Sequence, residues 1–192
     1  MRTFIAIELS EEIKDSLAQV QSHLKYAGAD VKWVEKNNIH LTLKFLGEID
    51  EKLCADVKVA LDTIAKDTQP FEISLKDIGM FPRVIWVGLD KGAKESTELA
   101  KKIDLSLSKL GFQEETRAFT AHLTIGRVRS PKNKQALKEK AKSCRERDVA
   151  GQEIFPGKVK GQEIIKSVIL FRSKLTPAGP VYTKLYETKF TC

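Results

Sequence analysis

The apolar run Phe4-Ile5-Ala6-Ile7, flanked by Arg2 and Glu8, predicts a strand over Arg2 to Leu9. Ser10 followed by Glu11, Glu12 and Ile13 is a helix-start signal, and helical spacing of apolar positions continues to about Tyr26, with Gly28 beyond it. Val31 to Val34 reads as extended, Asn37-Asn38 as a turn, and His40 to Leu46 as a strand ended by Gly47. Asp50 opens a second helix, with Leu53, Val57, Leu61 and Ile64 on one face as far as about Asp67. Strands follow at Phe71 to Leu75 and Val84 to Leu89, then a helix from about Lys94 to Leu110 and a strand from His122 to Val128. After Ser130-Pro131 a helix is expected from about Lys132 to Arg145. Three strand-like runs close the chain: Gly151 to Lys160, Ile164 to Phe171 and Val181 to Phe190.

This order of elements begins again halfway along. Ile5 precedes His40 by 35 residues and Val87 precedes His122 by 35, and a helix follows each of the two histidine strands. A strand-helix-strand unit used twice implies an α+β fold of two lobes related by an approximate two-fold axis, with a cleft between them. No linker of biased composition separates the halves, which predicts a single domain over residues 1–192.

With 192 residues and 42% hydrophobic content, the chain can bury a sizeable core. Its 33 basic and 26 acidic residues give a net charge of +7, which suits an anionic partner as well as plain solvation of charged helix faces. The apolar part of the opening segment is too short for a signal peptide and no apolar stretch is long enough to span a bilayer, so a cytoplasmic protein without membrane partners is expected. Cys54, Cys144 and Cys192 are odd in number and lack CxxC spacing, which predicts reduced thiols and no structural metal.

Two of the three histidines open the same tripeptide, His40-Leu41-Thr42 and His122-Leu123-Thr124. In a strand His40 and Thr42 share one face while Leu41, Leu43 and Phe45 fill the other. By the same parity Lys44 joins the His40 face as a candidate phosphate contact, and Arg127 falls opposite His122 unless the strand bends or ends there. A single histidine beside a strand is ordinarily structural, so it is the duplication that points to chemistry. If the two strands lie side by side, two imidazoles and the hydroxyls of Thr42 and Thr124 meet in one cleft, equipment for moving charge on and off a phosphate. Phe45, Phe119, Trp33 and Tyr182 are candidates for stacking on bases, although aromatic residues in apolar strands ordinarily belong to the core. His23 has no partner motif, and the chain has no Walker loop, no GxSxG elbow and no metal-ligand spacing.

The runs Asn38-Ile39-His40-Leu41-Thr42-Leu43-Lys44-Phe45-Leu46-Gly47 and His122-Leu123-Thr124-Ile125-Gly126-Arg127 resemble the two-histidine phosphoesterases, and within them the LigT-like RNA 2′,3′-cyclic phosphodiesterases. The likeness extends to Trp33, to Phe81-Pro82-Arg83 with Trp86, and to Leu170-Phe171-Arg172-Ser173 with Gly179 and Tyr182. It implies a bilobal fold in which each lobe has an antiparallel sheet with helices and strands are exchanged between lobes. It also implies opening of a terminal RNA 2′,3′-cyclic phosphate to a 2′-phosphate, without metal or other cofactor, with His40 as proton donor and His122 as acceptor. RNA ends, tRNA halves among them, would be the partners of a monomeric enzyme, and related enzymes also join ends through a 2′-5′ linkage. A non-catalytic RNA-end binder using the same basic cleft is the alternative from another class. One departure is visible, since Ala121 stands where the family usually has proline before the second histidine.

Overall fold

The computed structural model of the chain describes residues 1–143, 161–177 and 179–191; the run expected as a strand over Gly151 to Lys160 lies outside them, as do Cys144 and Cys192. In chain order the elements are β1 (Arg2–Glu8), α1 (Glu11–Lys25), β2 (Val31–Trp33), β3 (His40–Glu48), α2 (Glu51–Lys66), β4 (Phe71–Met80), β5 (Val84–Leu89), α3 (Ala93–Ser108), β6 (His122–Val128), α4 (Lys134–Ser143), β7 (Gln162–Ile165), β8 (Ser167–Thr176) and β9 (Gly179–Lys189), with a 3-10 turn at Lys36–Asn38 before β3. The helix starts follow the sequence signals. The Ser10 hydroxyl accepts from Ile13 N at 3.4 Å and the Asp50 carboxylate accepts from Leu53 N at 2.7 Å, each satisfying a backbone donor that the first turn leaves free.

The strands form two antiparallel sheets, ordered β3-β1-β8-β9 and β2-β6-β5-β4-β7. Each half of the chain lends strands to the other: β2 pairs with β6, while β8 joins β1. The run expected as one strand from Ile164 is two, because β7 pairs with β4 in one sheet and β8 with β1 in the other, with the crossing at Lys166. β4 also runs past Leu75 to Met80, since Asp77 takes a positive φ of 59° and the register shifts there without ending the pairing. One continuous core joins both sheets to the helices, including Ile5, Ile7 and Leu41 from the first sheet, Ile85, Leu123 and Ile125 from the second, and Leu17 and Ile103 from the helices. The opposite face of the first sheet carries a smaller cluster of Phe4, Ala6, Ile169 and Phe171, with Tyr182 packed against it.

Each histidine strand contains a bulge at the same place. In the first sheet Ala6 lies opposite Thr42 and Ile5 opposite Lys44, so Leu43 is an extra residue. In the second sheet Trp86 lies opposite Thr124 and Ile85 opposite Gly126, so Ile125 is the extra residue. Both insertions fall three residues after the histidine and reverse the alternation of side chains beyond them. The repeat is therefore real, but its strand register differs from the ungapped spacing read along the chain. Ile7, not Ile5, is the counterpart of Val87, since these two lie opposite Leu41 and Leu123.

The second bulge is held from the first half of the chain. Gln21, buried on α1, donates through Nε2 to the carbonyls of both Val34 and Ile125 at 2.8 Å. Gln21→Leu removes a donor from two carbonyls at a buried position. It is expected to lower unfolding free energy by about 1–3 kcal/mol in a denaturant titration, and an unchanged midpoint would contradict this tie.

Candidate active site

His40 and His122 each stand at the first residue of a strand, and each ring is fixed by the backbone carbonyl two residues earlier. His40 Nδ1 lies 2.8 Å from the Asn38 carbonyl and His122 Nδ1 lies 2.7 Å from that of Thr120. A carbonyl only accepts, so Nδ1 carries the hydrogen in both rings and Nε2 is left with the lone pair when the ring is neutral. Asn38 and Thr120 both precede their strands, which leaves these carbonyls free of the sheet ladders. Ala121 occupies the buried position that Ile39 fills before His40, and the Thr120 contact forms with alanine there.

Thr42 and Thr124 are half-buried on the same face as their histidines. β3 and β6 touch, but as members of different sheets, not as hydrogen-bonded neighbours. Beyond the bulges the expected parity fails in an informative way. Lys44, expected on the His40 face, is turned into the protein at 4% exposure, where its ammonium pairs with Asp104 and donates to the Gln113 carbonyl at 2.9 Å. Phe45, expected in the core, is 63% exposed and faces Phe4 across the sheet with ring centroids 6.1 Å apart. The same reversal in β6 turns Arg127 out on the His122 side, while Gly126 takes the inward position. Any side chain at Gly126 would meet Val31, Ile85 and Trp33 at about contact distance or closer, the Val31 methyl at 2.9 Å. Phe119 and Trp33 pack against the core, as aromatic residues in apolar segments ordinarily do.

Of the aromatic residues around the histidines, Tyr182 is expected from the sequence, Phe81, Trp86 and Phe171 enter it only through the family likeness, and Phe4 is not singled out. Phe4 stacks on the His40 ring at 4.8 Å, Tyr182 meets the same ring edge-on at 5.3 Å, and Phe171 stacks on Phe4 at 5.2 Å. Phe81 meets His122 edge-on at 5.7 Å and rests on Trp86 at 5.3 Å. The alternation of β1, in which Phe4 and Ala6 face away from Ile5 and Ile7, is the signal that could have found Phe4. β3 and β9 are the outer strands of their sheet, yet Asn38 Nδ2 donates to the Pro180 carbonyl at 3.0 Å, so the sheet curls until its two edges meet over His40. The charges follow from this enclosure. Burial pushes the His40 pKa down to about 4, with a small push from the Lys14 ammonium, while the bond to Asn38 works the other way. Burial pushes the Tyr182 phenol up, and the guanidinium groups of Arg127 and Arg2 pull it down, so Arg127 acts across the cleft on the residue that caps His40. Among the described residues no group of three or more His, Cys, Asp or Glu side chains gathers to hold a metal ion.

The family model for LigT-like phosphoesterases matches the chain twice, over residues 7–86 and 87–182. The chain belongs to this family. A Methanothermobacter thermautotrophicus protein named RNA 2′,3′-cyclic phosphodiesterase is 37% identical over 191 residues, covering 96% of both chains. A Methanocaldococcus jannaschii protein of the same name is 40% identical over 192 residues, covering 97% of this chain and 99% of its own. Among solved structures, Escherichia coli LigT in its apo form matches with a TM-score of 0.77 at 23% identity over all of this chain and 98% of its own, which shows a shared fold. The two matches of the LigT-like model divide the chain between Trp86 and Val87, in keeping with the internal duplication.

The corrected position of Lys44 has a measurable consequence. Lys44→Met leaves the Asp104 carboxylate, 18% exposed, without its cation and is expected to cost about 3 kcal/mol of stability by denaturant titration. Inorganic phosphate should still bind the folded variant with unchanged affinity; a large loss of binding would return this ammonium to the cleft.

Proposed function

We propose that this LigT-like protein hydrolyses RNA 2′,3′-cyclic phosphodiester ends to 2′-phosphomonoesters, with His40 and His122 as its acid and base. The observation that carries the reading is the identical setting of the two imidazoles, each with Nδ1 held by a carbonyl and Nε2 left for substrate, on two strands that touch. Relatives named RNA 2′,3′-cyclic phosphodiesterase at 37% and 40% identity over nearly the whole chain support the same substrate class. Escherichia coli LigT, which shares the fold at 22% identity and a TM-score of 0.73, has been solved with 3′-AMP bound.

Opening the ring requires water to attack phosphorus in line with the departing 3′ oxygen, so base and acid must act from opposite sides. In this reading His122 Nε2 takes the proton from water and His40 Nε2 returns one to the leaving oxygen. Thr42 and Thr124 donate to the non-bridging oxygens as charge grows there, each worth about 3 kcal/mol when well aimed. Arg127 attracts the phosphate, and Phe45 and Tyr182 offer faces to the terminal base. The step consists of two proton transfers and charge stabilisation, and the reading includes no metal ion or other cofactor. It takes residues 1–192 as one domain, because the two histidines come from different sheets, and it places a monomer in the cytoplasm with RNAs such as tRNA halves as substrates.

His40→Ala and His122→Ala should each lower turnover of an oligonucleotide ending in a 2′,3′-cyclic phosphate by about 100- to 10,000-fold in chelator-containing buffer, while much of the binding survives. Full turnover in either variant would exclude the pair. Binding without turnover in the native protein would leave an RNA-end binder instead.

His40 is neutral in the free protein at pH 7, since its pKa lies near 4. As donor it needs its proton, and a phosphodiester anion against Nε2 supplies the charge that favours the imidazolium. In NMR titrations the imidazole signal lost in His40→Ala should therefore titrate near pH 4 in the free protein and move upward when inorganic phosphate is added. The unfolded chain takes up this proton first as pH falls below 6.5, so His40 also lowers stability progressively between pH 6.5 and about 4. A free-protein value near 6.5 would contradict the desolvated setting.

A further inference from the structure

Water needs no platform, yet the structure builds one on the water side of the cleft. Phe81 is 41% exposed beside His122, and hydrogen bonds tie the backbone of its turn to neighbouring segments. Its own N–H donates to the Val84 carbonyl at 2.9 Å, the Pro82 carbonyl accepts from Lys134 Nζ at 2.7 Å, and the Arg83 carbonyl accepts from Val128 N at 2.8 Å. Beneath Phe81 the Trp86 ring lies in a space cleared by glycines. A Cβ at Gly79 would sit 1.9 Å from Trp86 Cζ2, and one at Gly88 would sit 3.2 Å from Cζ3. Gly79 and Gly88 flank Trp86 across and along the sheet, and Trp86 lies opposite Thr124, so all of these face the cleft.

The duplicated frame makes the placement meaningful. The His40 side has its own aromatic residues in Phe4, Tyr182 and Phe45, enough for the nucleotide that bears the cyclic phosphate and leaves through its 3′ oxygen. In-line geometry puts the attacking oxygen on the other side, with His122. We propose that Phe81, propped on Trp86 beside His122, is a stacking platform for the base of a second nucleoside whose 5′-hydroxyl takes the place of water. This rests on the acid and base roles given above. The step balances as hydrolysis does: the 5′ oxygen forms a bond to phosphorus, its proton passes to His122, the bond from phosphorus to the 3′ oxygen breaks, and that oxygen takes the proton of His40. The product is a 2′-5′ linkage with a free 3′-hydroxyl.

Because water and acceptor compete for one bound cyclic phosphate, the ratio of transfer to hydrolysis reports acceptor binding whatever a variant does to the base. Native protein, Phe81→Ala and Phe81→Tyr would be given a nucleoside 2′,3′-cyclic phosphate with either adenosine or methanol as acceptor. Native protein should favour adenosine per mole of acceptor. Phe81→Ala should lower the adenosine ratio about fivefold or more, as loss of one base stack requires, leave the methanol ratio unchanged, and Phe81→Tyr should restore it. The platform is overturned if the adenosine ratio survives Phe81→Ala, if both ratios fall together, or if adenosine holds no advantage in the native protein. Failure of the native protein to open the cyclic phosphate at all would instead remove the histidine roles, and the platform with them.

Discussion

The hydrogen bond from each Nδ1 to the carbonyl two residues before it is the constraint on which the rest of the site depends. It decides the tautomer, fixes the ring plane and leaves one nitrogen of each imidazole for chemistry. The bond is available only because each histidine is the first residue of its strand. Two positions further in, that carbonyl would lie within the strand itself. Asn38 strengthens the first copy by donating its own side-chain amide to Pro180, so the same residue orients His40 and holds the far edge of the sheet against it.

Around this constraint the two halves share a frame and differ in what it carries. The bulge three residues after each histidine sends the fourth residue inward and the fifth outward, which are Lys44 and Phe45 in one half and Gly126 and Arg127 in the other. Inward, one half places an ammonium bound to Asp104 and the other a glycine that lets β2 approach. Outward, one presents an apolar ring and the other a guanidinium. Across the neighbouring strand, Ala6 in the first half corresponds to Trp86 in the second. A duplicated frame with unlike fittings suits a reaction whose two sides, attack and departure, are chemically different.

The parts legible in the sequence were those governed by local chemistry. Helix starts at Ser10 and Asp50, both His-x-Thr strands and the repetition of elements all follow from capping, periodicity and duplication. Parity worked as far as the bulges and failed beyond them for Lys44 and Phe45, because an inserted residue such as Leu43 leaves no mark in composition. The split of the run from Ile164 at Lys166 was equally silent, since strands in two different sheets can follow each other without a turn residue. Phe4 went unremarked, and the place of Phe81 and Trp86 beside His122 was not legible, because an apolar residue lining a cleft and one filling a core look alike until the faces are known.

The interleaving of strands has a consequence for how the site comes into being. β1 lies between β3 and β8, so a nascent chain that has emerged only through α3 would present β1 with one edge open, and His40 would lack Tyr182 beside it. Only when β8 and β9 leave the ribosome does the first sheet close. Vectorial synthesis therefore assembles the surroundings of the earlier histidine last, and a truncated product would carry both sequence motifs without an enclosed site.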